Sequence, residues 1–140
     1  MRYLLDTNVI SELVSKQPNE HVIAWIDGID DQLIYLSVIT IGEIKRGIEK
    51  LPNSQRKRSL NNWLNEDLLI RFDDKILTID LPVMLTLGRL IAKMESQGRA
   101  LPAIDSLIAA TALQHDLNLV TRNEKDFDRT DVAVTNPWLK

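Results

Sequence analysis

The chain has 140 residues, 44% hydrophobic and 26% charged, the balance of one ordinary globular domain with a core of its own. It holds no cysteine and only two histidines, His21 and His115, which excludes a disulfide framework, an iron–sulfur centre, a thiolate zinc site and a multi-histidine metal site. A net charge of −3 argues against a uniformly basic nucleic-acid coat but leaves room for a local basic strip.

Met1-Arg2-Tyr3-Leu4-Leu5-Asp6 has one early positive charge, but its apolar run stops at Asp6, too short for a signal-peptide core. Tyr3-Leu4-Leu5 reads as a buried strand ended by the turn and N-cap residues Asp6-Thr7-Asn8. A short helix is expected over Val9 to Lys16, broken by Gln17-Pro18-Asn19. Val22, Ile23 and Ile26 give a second helix its apolar face, and Gly28 closes it. Leu33 to Leu36 is the second strand, ending at Ser37. From Thr40, Ile41, Ile44, Ile48 and Leu51 recur at helical spacing until Pro52. Gln55 to Arg71 reads as one amphipathic helix carrying Leu60, Trp63, Leu64 and Leu68. Lys75 to Asp80 is a third strand. Pro82 opens a helix that Gly98 closes, and Pro102 opens an alanine-rich one. Leu117 to Thr121 and Val132 to Val134 complete the strands. No stretch approaches the ~18 uninterrupted apolar residues of a membrane span. Strands separated by helices predict right-handed crossovers and a parallel sheet covered on both faces. The expectation is a single cytosolic α/β domain over residues 1–140.

The acids fall in a pattern. Asp6 stands at the carboxyl end of the first strand, where open α/β sheets bind ligands. Glu43 lies one turn into the helix after strand two, Asp105 in the first turn of the Pro102 helix, and Asn123 and Asp126 just past strand four. Each has a plainer explanation. Asp6 can cap the helix that follows it. Thr40-Ile41-Gly42-Glu43 matches a capping box, in which the Glu reaches back to the N-cap amide. Asp105 suits the positive end of a helix, worth ~0.3–1 kcal/mol, and Asn123 and Asp126 suit a turn. Four separated segments converging on one sheet edge is what favours a site. Two unit charges ~4 Å apart repel by about 4 kcal/mol at an effective dielectric near 20, so clustered carboxylates need a trapped proton or a cation. Oxygen-only ligands point to Mg²⁺ or Mn²⁺, and such a metal suits phosphodiester hydrolysis.

Other chemistries lack their motifs. There is no dinucleotide or phosphate-cradling glycine loop and no nucleophile elbow. His115 ends a helix and reads as a residue facing its dipole rather than as a base. Lys45, Arg46, Lys50, Arg56, Lys57 and Arg58, with Glu49 the only acid among them, form a basic strip beginning two residues after Glu43. A solvated helix face explains such runs most often; beside the acids, cations of this kind also suit an approaching phosphate backbone.

These residues resemble the PIN-domain ribonucleases, above all the VapC-type toxins of toxin–antitoxin pairs with their plasmid-stability and fast-intracellular-trafficking relatives. The matching stretches are Leu5-Asp6-Thr7-Asn8-Val9-Ile10-Ser11-Glu12, Leu36 to Ile44 with Gly47, Asp105 to Ala112, Val120-Thr121-Arg122-Asn123, and the ending Asn136-Pro137-Trp138. The resemblance implies a three-layer α/β/α sandwich with a mainly parallel central sheet of about five strands. It implies Mg²⁺ (or Mn²⁺) held by Asp6, Glu43 and Asp105, with Asn123 where many members carry a fourth acid, and Asp126 or the Asn123 carbonyl in its stead. It further implies RNA as substrate, a cognate antitoxin that masks the site, operator DNA bound only through that antitoxin, and a homodimer within a hetero-oligomer. A catalytically degenerate PIN fold serving as an antitoxin-binding module is the alternative, favoured only by Asn123.

Overall fold

The computed structural model describes residues 1–139. Its strands are β1 (Tyr3–Leu5), β2 (Ile34–Ser37), β3 (Ile76–Leu77), β4 (Asn118–Val120) and β5 (Val134–Thr135). All pair in parallel, in the order β3-β2-β1-β4-β5. Helices α1 (Thr7–Leu13) and α2 (Glu20–Asp27) join β1 to β2. From β2 the chain passes through α3 (Val38–Glu49), α4 (Gln55–Asn62), a π-helical stretch (Trp63–Leu68) and α5 (Leu69–Arg71) to β3. α6 (Leu81–Ser96) and α7 (Ala103–Gln114) return it to β4.

Alternation along β1 separates the two halves of the core, because successive strand side chains face opposite ways. Leu5 packs with Val9, Ile10, Ile44 and Leu64 under α1 to α5, whereas Leu4 packs with Leu90, Ile108 and Ala109 under α6 and α7. The α/β/α sandwich follows directly. Since the chain winds outward from β1 through β2 and β3, then crosses to β4 and β5, the winding reverses between β1 and β4. The carboxyl ends of those two strands flank the crevice where such sheets bind ligands.

Several boundaries differ from the sequence reading. α1 stops at Leu13, with the Val14 amide bonded back to Ser11. α3 begins at Val38, not Thr40, because the Ser37 hydroxyl accepts from the Ile39 amide and caps it. The helix over Gln55 to Arg71 is α-helical at both ends but widens to a π-helix across Trp63–Leu68. The third strand shrinks to Ile76–Leu77, and the fifth shifts to Val134–Thr135, where it pairs with Leu119 and Val120. Gly98 closes α6 as expected, at φ +67°. His115 is the C-cap of α7, and its Nε2 is buried without a hydrogen-bond partner among the described residues. Among the described residues no helix is long and apolar enough to cross a membrane.

Candidate active site

Asp6 follows β1 directly and is almost fully buried, 7% exposed. It does cap α1, since one carboxylate oxygen accepts from the Thr7 amide at 2.8 Å. The other oxygen accepts from the Thr121 hydroxyl at 2.9 Å and from Asn8 Nδ2 at 3.4 Å. Capping and site placement are therefore two properties of one residue, not rivals.

Thr121, fully buried at the end of β4, is the hub that sequence reasoning missed. Its Oγ1 also accepts from Asn8 Nδ2 at 3.2 Å and from the Asn123 amide at 3.1 Å. The β1 and β4 ends, adjacent in the sheet but more than a hundred residues apart in sequence, are thus locked together at the winding reversal.

Glu43 overturns the capping-box expectation. With α3 capped by Ser37, Thr40 lies inside the helix and Glu43 is free to face α1. There the Thr7 hydroxyl donates to its Oε1 at 2.5 Å and stands 3.2 Å from the buried Thr40 hydroxyl. Asp105 is half-buried in the first turn of α7, and no described side chain or amide hydrogen-bonds its carboxylate.

One cavity of about 570 Å³ gathers these groups: Asp6, Glu43, Asp105 and Asn123 line it together with Thr7, Asn8, Ser11, Glu12, Ser15, Arg122 and Trp138. Asp126 is exposed on the short helical turn Glu124–Phe127 and does not line the cavity, but its charge reaches both aspartates. Glu12 is an acid the sequence reading left out; its Oε2 accepts from the Asn19 amide at 2.7 Å. Its only signal was its place in the first matching stretch.

The electrostatics are those of crowded carboxylates. Burial pushes the Asp6 carboxyl above its ordinary value, against the Thr121 and Thr7 hydrogen bonds, which lower it; the charges of Glu43 and Asp126 raise it further. Asp105 is raised by burial first, then by Asp6, Asp126 and Glu43. Among the described residues no three acidic or histidine side chains are arranged to hold a metal ion as they stand, since Glu43 is turned onto Thr7 and both Asp6 oxygens are engaged.

The basic strip is largely taken up by structure. Lys45 and Lys57 pair with Glu49 at 3.1 and 3.6 Å, Arg56 donates to the Val14 carbonyl, and Arg58 to Gln55. Lys57 also donates to the Glu49 and Leu51 carbonyls, pinning the α3–α4 corner. Arg46 and Lys50 stand exposed beside them.

A family model described as the PIN domain matches residues 3–133. The chain belongs to the PIN-domain family. Among PIN relatives, the toxin FitB of Neisseria gonorrhoeae is 42% identical over 96% of this chain and 97% of its own. The VapC ribonuclease Y4jK of Sinorhizobium fredii is 34% identical over 96% of each. In solved structures, a chain of FitAB bound to an IR36 DNA fragment superposes with a TM-score of 0.93 at 40% identity, covering 97% of this chain and 95% of that one. A toxin–antitoxin complex from Klebsiella pneumoniae follows at a TM-score of 0.69 and 28% identity, covering 96% and 97%.

Proposed function

We propose that this PIN-domain chain is a divalent-metal-dependent endoribonuclease and the toxin of a toxin–antitoxin pair. The observation that carries the reading is the single cavity at the β1–β4 ends that collects Asp6, Glu43 and Asp105 from three separate segments, in a family whose relatives are named as toxins and ribonucleases.

The donor set fits Mg²⁺ or Mn²⁺: every candidate ligand is a carboxylate oxygen, and a cation favours the charged form of carboxyls that burial first, and neighbouring acids second, raise at Asp6 and Asp105. Asp6 and Asp105 would hold it, joined by Glu43 once that side chain leaves Thr7. When bound, such an ion polarises a phosphoryl oxygen and lowers the pKa of its water. The chain's own residues do the rest. Thr121, Asn8 and the Thr7 amide fix Asp6. Asn123, which lines the cavity, orients the attacking water, while Asp126, outside the lining, acts through its charge.

An antitoxin is the partner this reading assigns, with operator DNA contacted through it. A groove of about 280 Å³ between α1, α3 and α4, walled by Val14, Ile44, Ile48, Leu51, Leu60 and Trp63, shares Ser11, Ser15 and Glu43 with the acid cavity. A protein segment laid in that groove closes the cavity mouth.

The test is cleavage of total cellular RNA by the purified chain with Mg²⁺, with Mn²⁺ and with EDTA. Discrete metal-dependent fragments that vanish in Asp6→Asn are expected. Fragments of the same pattern and rate from Asp6→Asn would refute the assignment.

A further inference from the structure

The acid cavity has one cationic side chain among its described lining residues, Arg122, and that side chain declines its obvious partners. Four carboxylates line the same space, yet Arg122 forms no ion pair with any of them, and no hydrogen bond leaves its guanidinium among the described residues. Its guanidinium carbon lies instead over the Trp138 ring, 5.4 Å from the centroid.

The arrangement is held from several sides. The Arg122 amide donates to Asn8 Oδ1 at 3.2 Å, and its carbonyl accepts from Asn136 Nδ2 at 3.4 Å. The same Asn136 accepts from the Trp138 amide at 3.0 Å, so one residue fixes both members of the stack. Trp138 also packs against the core beneath. A guanidinium set over an aromatic ring and without a hydrogen-bond partner keeps its five N–H donors free in a rigid fork. Bidentate pairing with two oxygens of a phosphate is the interaction that fork matches.

We propose that Arg122, stacked on Trp138, is the phosphate clamp of this cavity: its guanidinium binds the nonbridging oxygens of the RNA phosphate that is cut, and Trp138 is the positioning residue that aims it. The proposal rests on the ribonuclease reading and deepens it. An anionic phosphodiester entering among carboxylates needs positive charge aimed at it, and the charge that grows on the phosphoryl oxygens in the transition state needs more. The basic strip supplies little of this, because four of its six cations are engaged by Glu49, Asn61, Gln55 and the Val14 carbonyl.

The test compares the full wild-type chain with Arg122→Gln, Arg122→Lys, Trp138→Phe, Trp138→Leu and the double variant Arg122→Gln/Trp138→Leu. Initial rates on total cellular RNA with Mg²⁺ are read beside binding of a fluorescein-labelled mixed-sequence single-stranded RNA by anisotropy, with thermal melting as the check on folding. Arg122→Gln is expected to cut about 10²–10³-fold more slowly, as for loss of one transition-state donor. Its binding should weaken and depend less steeply on salt, by about 0.7 in the log–log slope. Arg122→Lys should recover only part of the rate, being a point charge without the fork. Trp138→Phe should keep most of it. Trp138→Leu should lose about tenfold and add nothing when combined with Arg122→Gln, since the ring acts through the arginine. Wild-type rates and binding in Arg122→Gln would overturn the clamp, as would multiplicative losses in the double variant. A wild-type chain that binds RNA through Arg122 but cuts none would overturn the ribonuclease reading, and with it the clamp on a scissile phosphate, leaving Arg122 as an RNA-binding residue only.

Discussion

Replacing Thr121 with valine removes the buried hydroxyl that ties three parts of the acid cavity together. That hydroxyl donates to Asp6 Oδ2 at 2.9 Å and accepts from Asn8 Nδ2 at 3.2 Å and the Asn123 amide at 3.1 Å. A hydrogen bond to a charged group contributes about 1.5–3 kcal/mol. The two neutral bonds add less, because Asn8 keeps its contact with Asp6 and Asn123 is exposed to water. The expected loss is about 2–3 kcal/mol near neutral pH, or roughly 10 °C in Tm for a chain of this length. Its pH dependence carries the argument. The Asp6 carboxyl is already raised by burial, and the Thr121 bond works against that rise. Without it the folded-state value climbs further. A carboxyl whose pKa is raised on folding contributes stability below its unfolded value, near 4, and loses it as the pH passes through the folded value. The variant loses more on that climb than the wild type, so the gap widens with pH. It should be smallest at low pH, about 1 kcal/mol where Asp6 is neutral and only neutral hydrogen bonds differ, and grow as the pH rises through the folded value. Urea unfolding followed by tryptophan fluorescence at a series of pH values measures it. A gap that stays flat or narrows as the pH rises would refute the role given to Thr121.

Asp105→Asn should raise the Tm of the metal-free chain at neutral pH, by removing a carboxylate that burial and its neighbours hold above its ordinary pKa. It should also abolish the Mg²⁺-dependent rise of the wild type, about 5 °C at tenfold excess over Kd, both read by thermal melting. Asn123→Asp should lower the metal-free Tm and tighten Mn²⁺ binding by calorimetry. The wild-type chain is expected to sediment as a dimer and Leu85→Lys as a monomer, because Leu81, Met84, Leu85 and Ile91 leave an apolar stripe exposed along α6.

Much of the site was legible because its parts sit where local rules put them. An aspartate after a short apolar run belongs at the end of a strand, and the strand–helix alternation brings such ends to one edge of a parallel sheet. Asp6, Glu43 and Asp105 needed nothing more to be singled out as candidates, and all three line the cavity. What stayed hidden was long-range. The bond between Thr121 and Asp6 spans 115 residues. The Arg122–Trp138 contact joins the turn after β4 to the short helical turn Pro137–Leu139, which no local pattern connects. Glu43 kept a rival explanation for the same reason: a capping box and a side chain facing α1 share the same four letters, and Ser37 decided between them by taking the cap. The π-helical turn at Trp63 likewise left no trace in the apolar spacing, which continues through it.

Asn123 is best understood against this charge balance. Asp6 already feels Glu43 and Asp126, Asp105 feels all three, and the cavity sets a single guanidinium against its acids. A carboxylate at 123 would add repulsion at a position where the backbone is already committed, since the Asn123 amide is held by Thr121. An amide side chain there keeps an oxygen for a ligand or a water while adding no charge. The metal-free chain is thereby spared part of the penalty that a full acidic set imposes. The cost falls on holding a second cation, which needs the negative charge that Asn123 lacks.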